Sequence, residues 1–400
     1  MKKVEVNQDS QSNLEIQEKS TPKAQEGWLF YFQSLEDPRG KQGREHNFLS
    51  IVIISVLAVI GGAVGWEDIE LYGVSHEEWL RTFLNLEKGI PSADTYRRVL
   101  ARLKPEALQA CFQGWIKQVV EETGGQIIPI DGKEMRGSYD RNHQQGALRI
   151  VSAWAMENHL MLGQVKVDSK SNEITAIPIL LESLEVKGCT ITIDAMGTQK
   201  AIAEKIVEKQ ADYVLSLKRN HPTLHDEVES WFKKAEEQKF QGVNLSHDLG
   251  IEAGHNRREK REIWAIPLSE MGGLYQEEEW AGLQTIVRVE RYRHLWNKTT
   301  HEIQFYLTSL PCSAQVIGRA IRQHWSIENQ LHWVLDVTFS EDSSRIRRGH
   351  GAENFTFLRR MAIGILNQEN SKKRSLRQKS RLASMNSRYM LQVLTQAFFS

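Results

Sequence analysis

The sequence has few cysteines and no surplus charge of either sign. Its three cysteines, Cys111, Cys189 and Cys312, are far apart and odd in number. That argues against a disulfide framework or a cysteine-built zinc site and fits a reducing, cytoplasmic compartment. Basic and acidic residues stand at 51 each, so the total charge announces no polyanionic partner, and any nucleic-acid surface must come from local segregation. A secretory leader is missing too: Lys2 and Lys3 lead into a polar stretch, and residues 1–27 read as a disordered tail. No repeat of fixed period occurs. Long apolar runs are scarce. Phe48 to Trp66 carries no charge and approaches the roughly 20 residues that cross a bilayer. Gly61, Gly62 and Gly65 break it, Glu67, Asp68 and Glu70 follow at once, and no second such run exists. It therefore reads as a buried core helix, with a single membrane span as the alternative.

What is present is a chain of 400 residues, 40% hydrophobic and 26% charged, enough for one large domain or two to three smaller ones. From Trp28 to about Thr123 the pattern is helical. Pro91 and a cap-capable Ser92 precede a helix bearing Tyr96, Arg97, Arg98 and Arg102, which reads either as the recognition part of a helix-turn-helix or as a solvated basic face. After Gly124 and Gly125 come strand-like runs at Gln126–Ile130, Leu148–Met156, Leu160–Val167, Cys189–Ile193 and Ala211–Leu217. Helical stretches at Asn172–Leu184 and Thr198–Lys209 separate the later ones. Three meandering strands followed by alternating helices and strands predict an α/β arrangement, a mixed sheet with helices on both faces, in the order used by RNase H-like domains. Residues 227–311 read as a β-rich insertion, with strands at Arg261–Pro267, Thr285–Tyr292 and Glu302–Leu307. The expected division is thus 1–27 tail, 28–123 helical domain, 124–226 first part of the core, 227–311 insertion, 312–367 second part of the core, and 368–400 basic C-terminal tail.

Three acids stand out. Asp131 follows Ile127-Ile128-Pro129-Ile130, and Asp194 follows Ile191-Thr192-Ile193, each at an expected strand exit. Most such aspartates are turn residues. Glu328 sits in the stripe Ile317, Ile321, His324, Glu328, Leu331, Leu335, the apolar face of one helix, where a carboxylate needs a partner or a metal. Converging on one side of a sheet, the three would form a hard-oxygen cage for Mg²⁺ or Mn²⁺. Two ions there suit in-line displacement at phosphorus. Scattered structural carboxylates are the competing explanation.

The flanking residues carry a resemblance. Ile130-Asp131-Gly132-Lys133-Glu134-Met135-Arg136-Gly137-Ser138, Thr192-Ile193-Asp194-Ala195-Met196-Gly197-Thr198-Gln199, Val214-Leu215-Ser216-Leu217-Lys218-Arg219-Asn220 and His324-Trp325-Ser326-Ile327-Glu328-Asn329, with Leu331-His332-Trp333 and Leu335-Asp336-Val337, resemble the ISAs-type DDE transposases and H-repeat-associated proteins. The likeness runs from about Trp28 to Asn367, with four motifs in family order. It implies an RNase H-like catalytic core, a helical N-terminal domain and a β insertion. It also implies Asp131, Asp194 and Glu328 as catalytic and metal-binding residues, two Mg²⁺ or Mn²⁺ ions, and double-stranded DNA as partner. On that reading the protein is a nucleoid-associated transposase, a homodimer on DNA, that cleaves element ends and joins them to a target. A DNA-binding descendant without activity is the alternative. One departure matters: the broader group's tyrosine, arginine and lysine places, counted from Glu328, hold Ile321, His324 and Leu335. His324, Asn329 and His332 are the candidates to take over positioning, and Lys133 and Arg136 are the nearest phosphate contacts.

Residues 345–388 hold twelve basic side chains against Glu353 and Glu369, a local excess of ten positive charges. Arg345, Arg347, Arg348, Lys372, Lys373 and Arg374 lead this expected DNA-facing surface.

Overall fold

A computed structural model describes residues 28–399 except 42, 122–124, 140–145, 169–170, 255–256 and 372. The expected tail at 1–27 and Lys372 lie outside the described residues. The chain forms two compact units, one comprising residues up to Trp115 together with those from Ile346 onward, the other Ile116–Arg345.

In the first unit the apolar run forms the helix Phe48–Ile60, and every residue from Ser50 to Ile60 is buried. Asn47 starts it by accepting the Ser50 N–H at 2.9 Å. The run has no polar face because the helices Trp66–Ser75, Ala93–Arg102, Gly351–Gln368 and Leu376–Met385 pack around it. Among the described residues no helix is long and apolar enough to cross a membrane. Ser92 occupies the N-cap of Ala93–Arg102, but its hydroxyl meets Thr95 Oγ1, and Glu70 takes the Ala93 N–H at 2.8 Å instead. On that helix Tyr96 is buried, Arg97 and Arg98 are both held by Asp94, and Arg102 is exposed.

Residues from Ile346 onward, expected as the end of the core and a basic tail, are instead part of this helical unit. The reason is apolar spacing: Phe355, Leu358, Met361, Ile365, Met390, Val393, Leu394 and Phe398 are all buried. Three charges of the expected DNA surface go in with them. Arg359 stacks 4.5 Å over the Phe355 ring and donates to Val64 O, Arg360 donates to Thr356 O, and Lys379 donates to Leu366 O and Glu369 O.

The second unit is built on one nine-stranded sheet of order β3-β2-β1-β4-β5-β9-β8-β7-β6. The strands are β1 (Ile127–Met135), β2 (Leu148–Ala155), β3 (Leu160–Lys166), β4 (Thr190–Ile193), β5 (Asp212–Leu217), β6 (Ser246–Gly254), β7 (Arg257–Pro267), β8 (Thr285–Leu295) and β9 (Lys298–Thr308). β1 to β3 form the antiparallel meander, β1-β4-β5 the parallel part, as in RNase H-like folds. The region expected as an insertion extends this sheet, because β9 pairs antiparallel with β5. β6 escaped the sequence pattern: it is a glycine-bearing edge strand, exposed along most of its length.

Helices cover both faces. Glu173–Glu182, capped by Asn172 accepting the Ile174 N–H, packs on β2 and β3, and its Ile177 approaches Gly197 beside Ile193. Ala314–Ile327, capped by Ser313, crosses β1, β4, β5, β6 and β7 on the opposite face, where its His324 meets Thr192. The cysteines are free.

Candidate active site

The sheet register assembles the site. β1 and β4 run parallel with Ile130 beside Ile193, so Asp131 and Asp194 each come one residue later on neighbouring strands. Adjacent strands lie about 4.8 Å apart. Asp131 does not end its strand, as expected from the Asp-Gly pair; β1 continues to Met135, paired with β2. What ends at Asp131 is the ladder with β4, and the carboxylate stands where one edge of β1 becomes free. Side chains alternate across a sheet, so Thr192 and Asp194 share a face, and the register adds Val214 and Ser216 of β5 and Tyr306 of β9 to it. These residues, with Lys218, line a cleft of about 120 Å³ that also contains Asp131, Ile321, His324, Trp325 and Glu328.

Glu328 reaches the cleft in an unexpected way. It does not lie buried on an apolar stripe: its side chain is 70% exposed. The α-helix ends at Ile327, residues Glu328–His332 form a π turn with the Trp333 N–H donating to Glu328 O, and α-helix resumes at Trp333–Val337. The extra residue shifts the helical phase by roughly 100°, so Leu331 and Leu335 stay buried while Glu328 turns outward. The same turn brings buried His332 beneath the acids, its Nδ1 at 3.1 Å from Glu328 and 3.6 Å from Asp131.

Ligand-capable atoms of Asp131, Glu328 and His332 all lie within 4.8 Å of one another. Burial raises the Asp131 pKa to about 7, and the Asp194 charge, then Glu173 and Glu328, add to the rise against the Gly132 N–H. A group of carboxylates this short of positive charge, made of hard oxygens, fits a divalent cation. Asp194 is steadied by its own loop, accepting the Met196 N–H at 3.1 Å. Burial lowers the His324 pKa to about 4 against the pull of Asp194, so at neutral pH the ring is uncharged and bonds Thr192 Oγ1 at 2.9 Å.

The remaining expected contacts separate into three groups. Lys133 is almost buried and pairs with Asp336 at 2.7 Å and Asp342 at 3.8 Å, so its charge is committed within the protein. Arg136 is exposed, 3.9 Å from Asp342, and Asn329 is exposed on the π turn. In the core-bearing unit Arg345 is exposed, while in the helical unit Arg348 and Lys373 are exposed, Arg347 is half-buried and Arg374 lies over the Tyr389 ring. Sequence reasoning missed Thr192, Lys218, Tyr306 and Trp325 as cleft residues. It also missed Glu173, whose carboxylate covers Gly132 so closely that no Cβ would fit there. Period-two counting from Asp194 would have found Thr192, whereas Tyr306 required the β5–β9 register.

An RNase H-like core that gathers carboxylates from two adjacent strands and a later helix on one face is the build of the polynucleotidyl transferases that move DNA. The chain belongs to the DDE transposases: the transposase DDE domain matches residues 122–365, and the domain associated with it matches residues 29–116. "Putative transposase YncI" of Escherichia coli O157:H7 is 39% identical over 370 residues, covering 92% of this chain and 94% of its own. "H repeat-associated putative transposase YhhI" of Escherichia coli K12 is 38% identical over 361 residues, covering 88% and 93%.

Proposed function

We propose that this protein binds the terminal inverted repeats of its insertion sequence, cleaves the DNA there and joins the freed 3′-hydroxyls to target DNA. The observation that carries the reading is the meeting of Asp131, Asp194 and Glu328 in one cleft, two from adjacent strand positions and one from a helix crossing the same face. Divalent metal use is implied by family membership. Asp131, Asp194 and Glu328 would hold Mg²⁺ or Mn²⁺, two ions in our reading. When bound, the ions supply an activated oxygen nucleophile and charge stabilisation for the leaving oxygen.

The chain's own groups prepare that chemistry. Asp131 is fixed by its pairing with β2 and both aspartates by backbone N–H bonds, so their oxygens need little reorganisation. His332 holds the exposed Glu328 side chain near Asp131. Neutral His324 braces Thr192 without placing a positive charge among the acids. Lys218 on the cleft wall and exposed Arg136 are the cations available to orient phosphates, which supports a phosphate-positioning role in the absence of the broader signature's arginine and lysine. Arg345, Arg348 and Lys373 would add sequence-independent backbone contacts. A homodimer on paired ends belongs to the same proposal. The complete acid set favours the enzyme over a binding-only descendant.

The test is purified protein with a labelled duplex carrying the repeat that flanks its gene, with Mg²⁺. Nicking at the repeat boundary that disappears in Asp194→Ala, with repeat binding retained, is the expected result. No nicking by the wild type, with specific binding intact, would establish the binding-only protein.

A further inference from the structure

Gly132 is a glycine without a conformational reason. It lies inside β1, paired opposite Val151 of β2, and its φ is not in the left-handed region that favours glycine. A glycine inside a strand is destabilising relative to alanine and marks a place where another group comes close to the backbone. That group is Glu173. Its carboxylate carbon and both oxygens occupy the space that a Cβ of residue 132 would need.

Glu173 opens the helix Glu173–Glu182, and an acid in a first turn commonly serves the helix N-terminus. Here that task falls to Asn172, whose side chain takes the Ile174 N–H at 3.1 Å. The Glu173 carboxylate reaches across to β1 instead. Among the described residues no donor bonds it and no cation pairs with it; Arg149, the positive charge that acts on it, is bonded to Glu134 at 2.7 Å. Asp194 acts on it more strongly, and Glu173 in turn adds to the negative field at Asp131. Other acids of this unit are provided for, Glu157 by Arg319 and Glu182 by Lys205. A half-buried carboxylate set beside two others gains most from positive charge arriving among them.

Strand geometry gives the direction of approach. Successive residues of a strand face opposite sides of the sheet, so Asp131 faces Glu328 and His332 while Gly132 faces Glu173. The β1–β4 ladder ends at Ile130 and Ile193, so at Asp131 and Asp194 no paired backbone divides one face from the other. An ion held there is within reach of acids from both faces.

We propose that Glu173 is a fourth carboxylate of the metal site, brought in from the face of the sheet opposite Glu328, and that residue 132 is glycine to admit it. This rests on the function proposed above in taking Asp131 and Asp194 as metal ligands. Ligand atoms of Asp131, Glu328 and His332 form one close group that does not include Glu173. Glu173 therefore serves the second ion, together with Asp131 and Asp194. Four carboxylates carry the charge that two divalent ions neutralise.

The experiment titrates Mn²⁺ into the full chain without DNA, counting bound ions by electron paramagnetic resonance of the free ion, with melting temperatures in EDTA alongside. The wild type should bind two ions. Glu173→Gln should weaken one of them roughly 10- to 100-fold, the scale on which groups around a metal tune its affinity. It should melt no lower than the wild type in EDTA, because the substitution takes a charge out of a repelling group. Gly132→Ala should weaken the same ion although it removes no ligand, since the added Cβ displaces the carboxylate. Glu182→Gln, on the same helix but paired with Lys205, should bind both ions as the wild type does. Unchanged Mn²⁺ binding by Glu173→Gln overturns the proposal. A Glu173→Gln protein that melts lower in EDTA overturns it too, making the carboxylate a structural group. Asp194→Ala separates the proposal from the reading beneath it: if this variant binds Mn²⁺ as the wild type does, the assignment of the acids fails and Glu173 with it. If it loses Mn²⁺ while Glu173→Gln keeps both ions, Glu173 alone is excluded.

Discussion

Asp131→Asn removes one charge from the acid group while preserving side-chain size and an oxygen able to accept the Gly132 N–H, now at 2.9 Å. In the folded protein the Asp131 carboxyl titrates near 7 against an ordinary 3.8, chiefly through burial and then through Asp194. An acid raised in this way weakens folding as pH climbs from its ordinary value through its folded one. The gap corresponds to about 4 kcal/mol at pH 8, an upper figure because about a quarter of the side chain still meets solvent, and to under about 2 kcal/mol at pH 5. In EDTA, urea denaturation should therefore find Asp131→Asn more stable than the wild type by up to ~4 kcal/mol at pH 8, with the advantage shrinking at pH 5. DNA cleavage should be lost in the same variant, and added Mg²⁺ should raise the wild type's midpoint more than the variant's. A variant less stable than the wild type by the same amount at both pH values would mark Asp131 as a structural turn residue and refute the argument.

Single alanine variants of Asp131, Asp194 and Glu328 should each be about as inactive as the triple variant on a labelled element end, because the three act as one unit; Glu134→Ala, on an exposed carboxylate paired with Arg149, should cleave normally. Glu173 would not serve as such a control, since it covers Gly132 and its pKa is raised by burial and by Asp194. Lys133→Met should cost roughly 2 kcal/mol in a urea melt by leaving Asp336 unpaired, yet leave the salt dependence of DNA binding unchanged; a shallower slope in a KCl titration would show a phosphate contact. Deleting Ser371–Ser400 would remove packed helices, so the basic surface is better tested by Lys373→Ala, Arg377→Ala and Arg381→Ala together, all exposed. That triple should lower the slope of log affinity against log salt by up to about 2.7 if each side chain meets a phosphate, and an unchanged slope would make them solvated charges.

The core was legible wherever one physical pattern dominated. Strand-like runs of five to nine residues marked β1 to β5, and Asn172 opened its helix because a side-chain cap is a local interaction. The acids were legible by their flanks, but their geometry was not. Asp-Gly suggested a strand exit because the pair is common in turns; only the shorter β4 shows that a ladder, not a strand, ends there. Glu328 was misread as inward-facing because period counting assumes an unbroken helix. Arg359, Arg360 and Lys379 were misread as a DNA surface because charge is local in sequence, while their backbone and ring partners are set by packing. β6 was invisible since an edge strand facing solvent on most of its length needs no apolar alternation.

Counting positions along a helix amounts to measuring an angle, and the π turn at Glu328–His332 changes the measure by one residue. Seven places beyond Glu328 stands Leu335, buried, where an unbroken helix would present a lysine of the broader signature. With one residue absorbed by the turn, the position sharing that angle is Asp336, and Asp336 holds the ammonium of Lys133 from β1. The helical place thus carries a carboxylate, and its pair with Lys133 joins the helix to β1. Insertion or deletion of one residue within 328–332 would break that pair by rotating everything downstream.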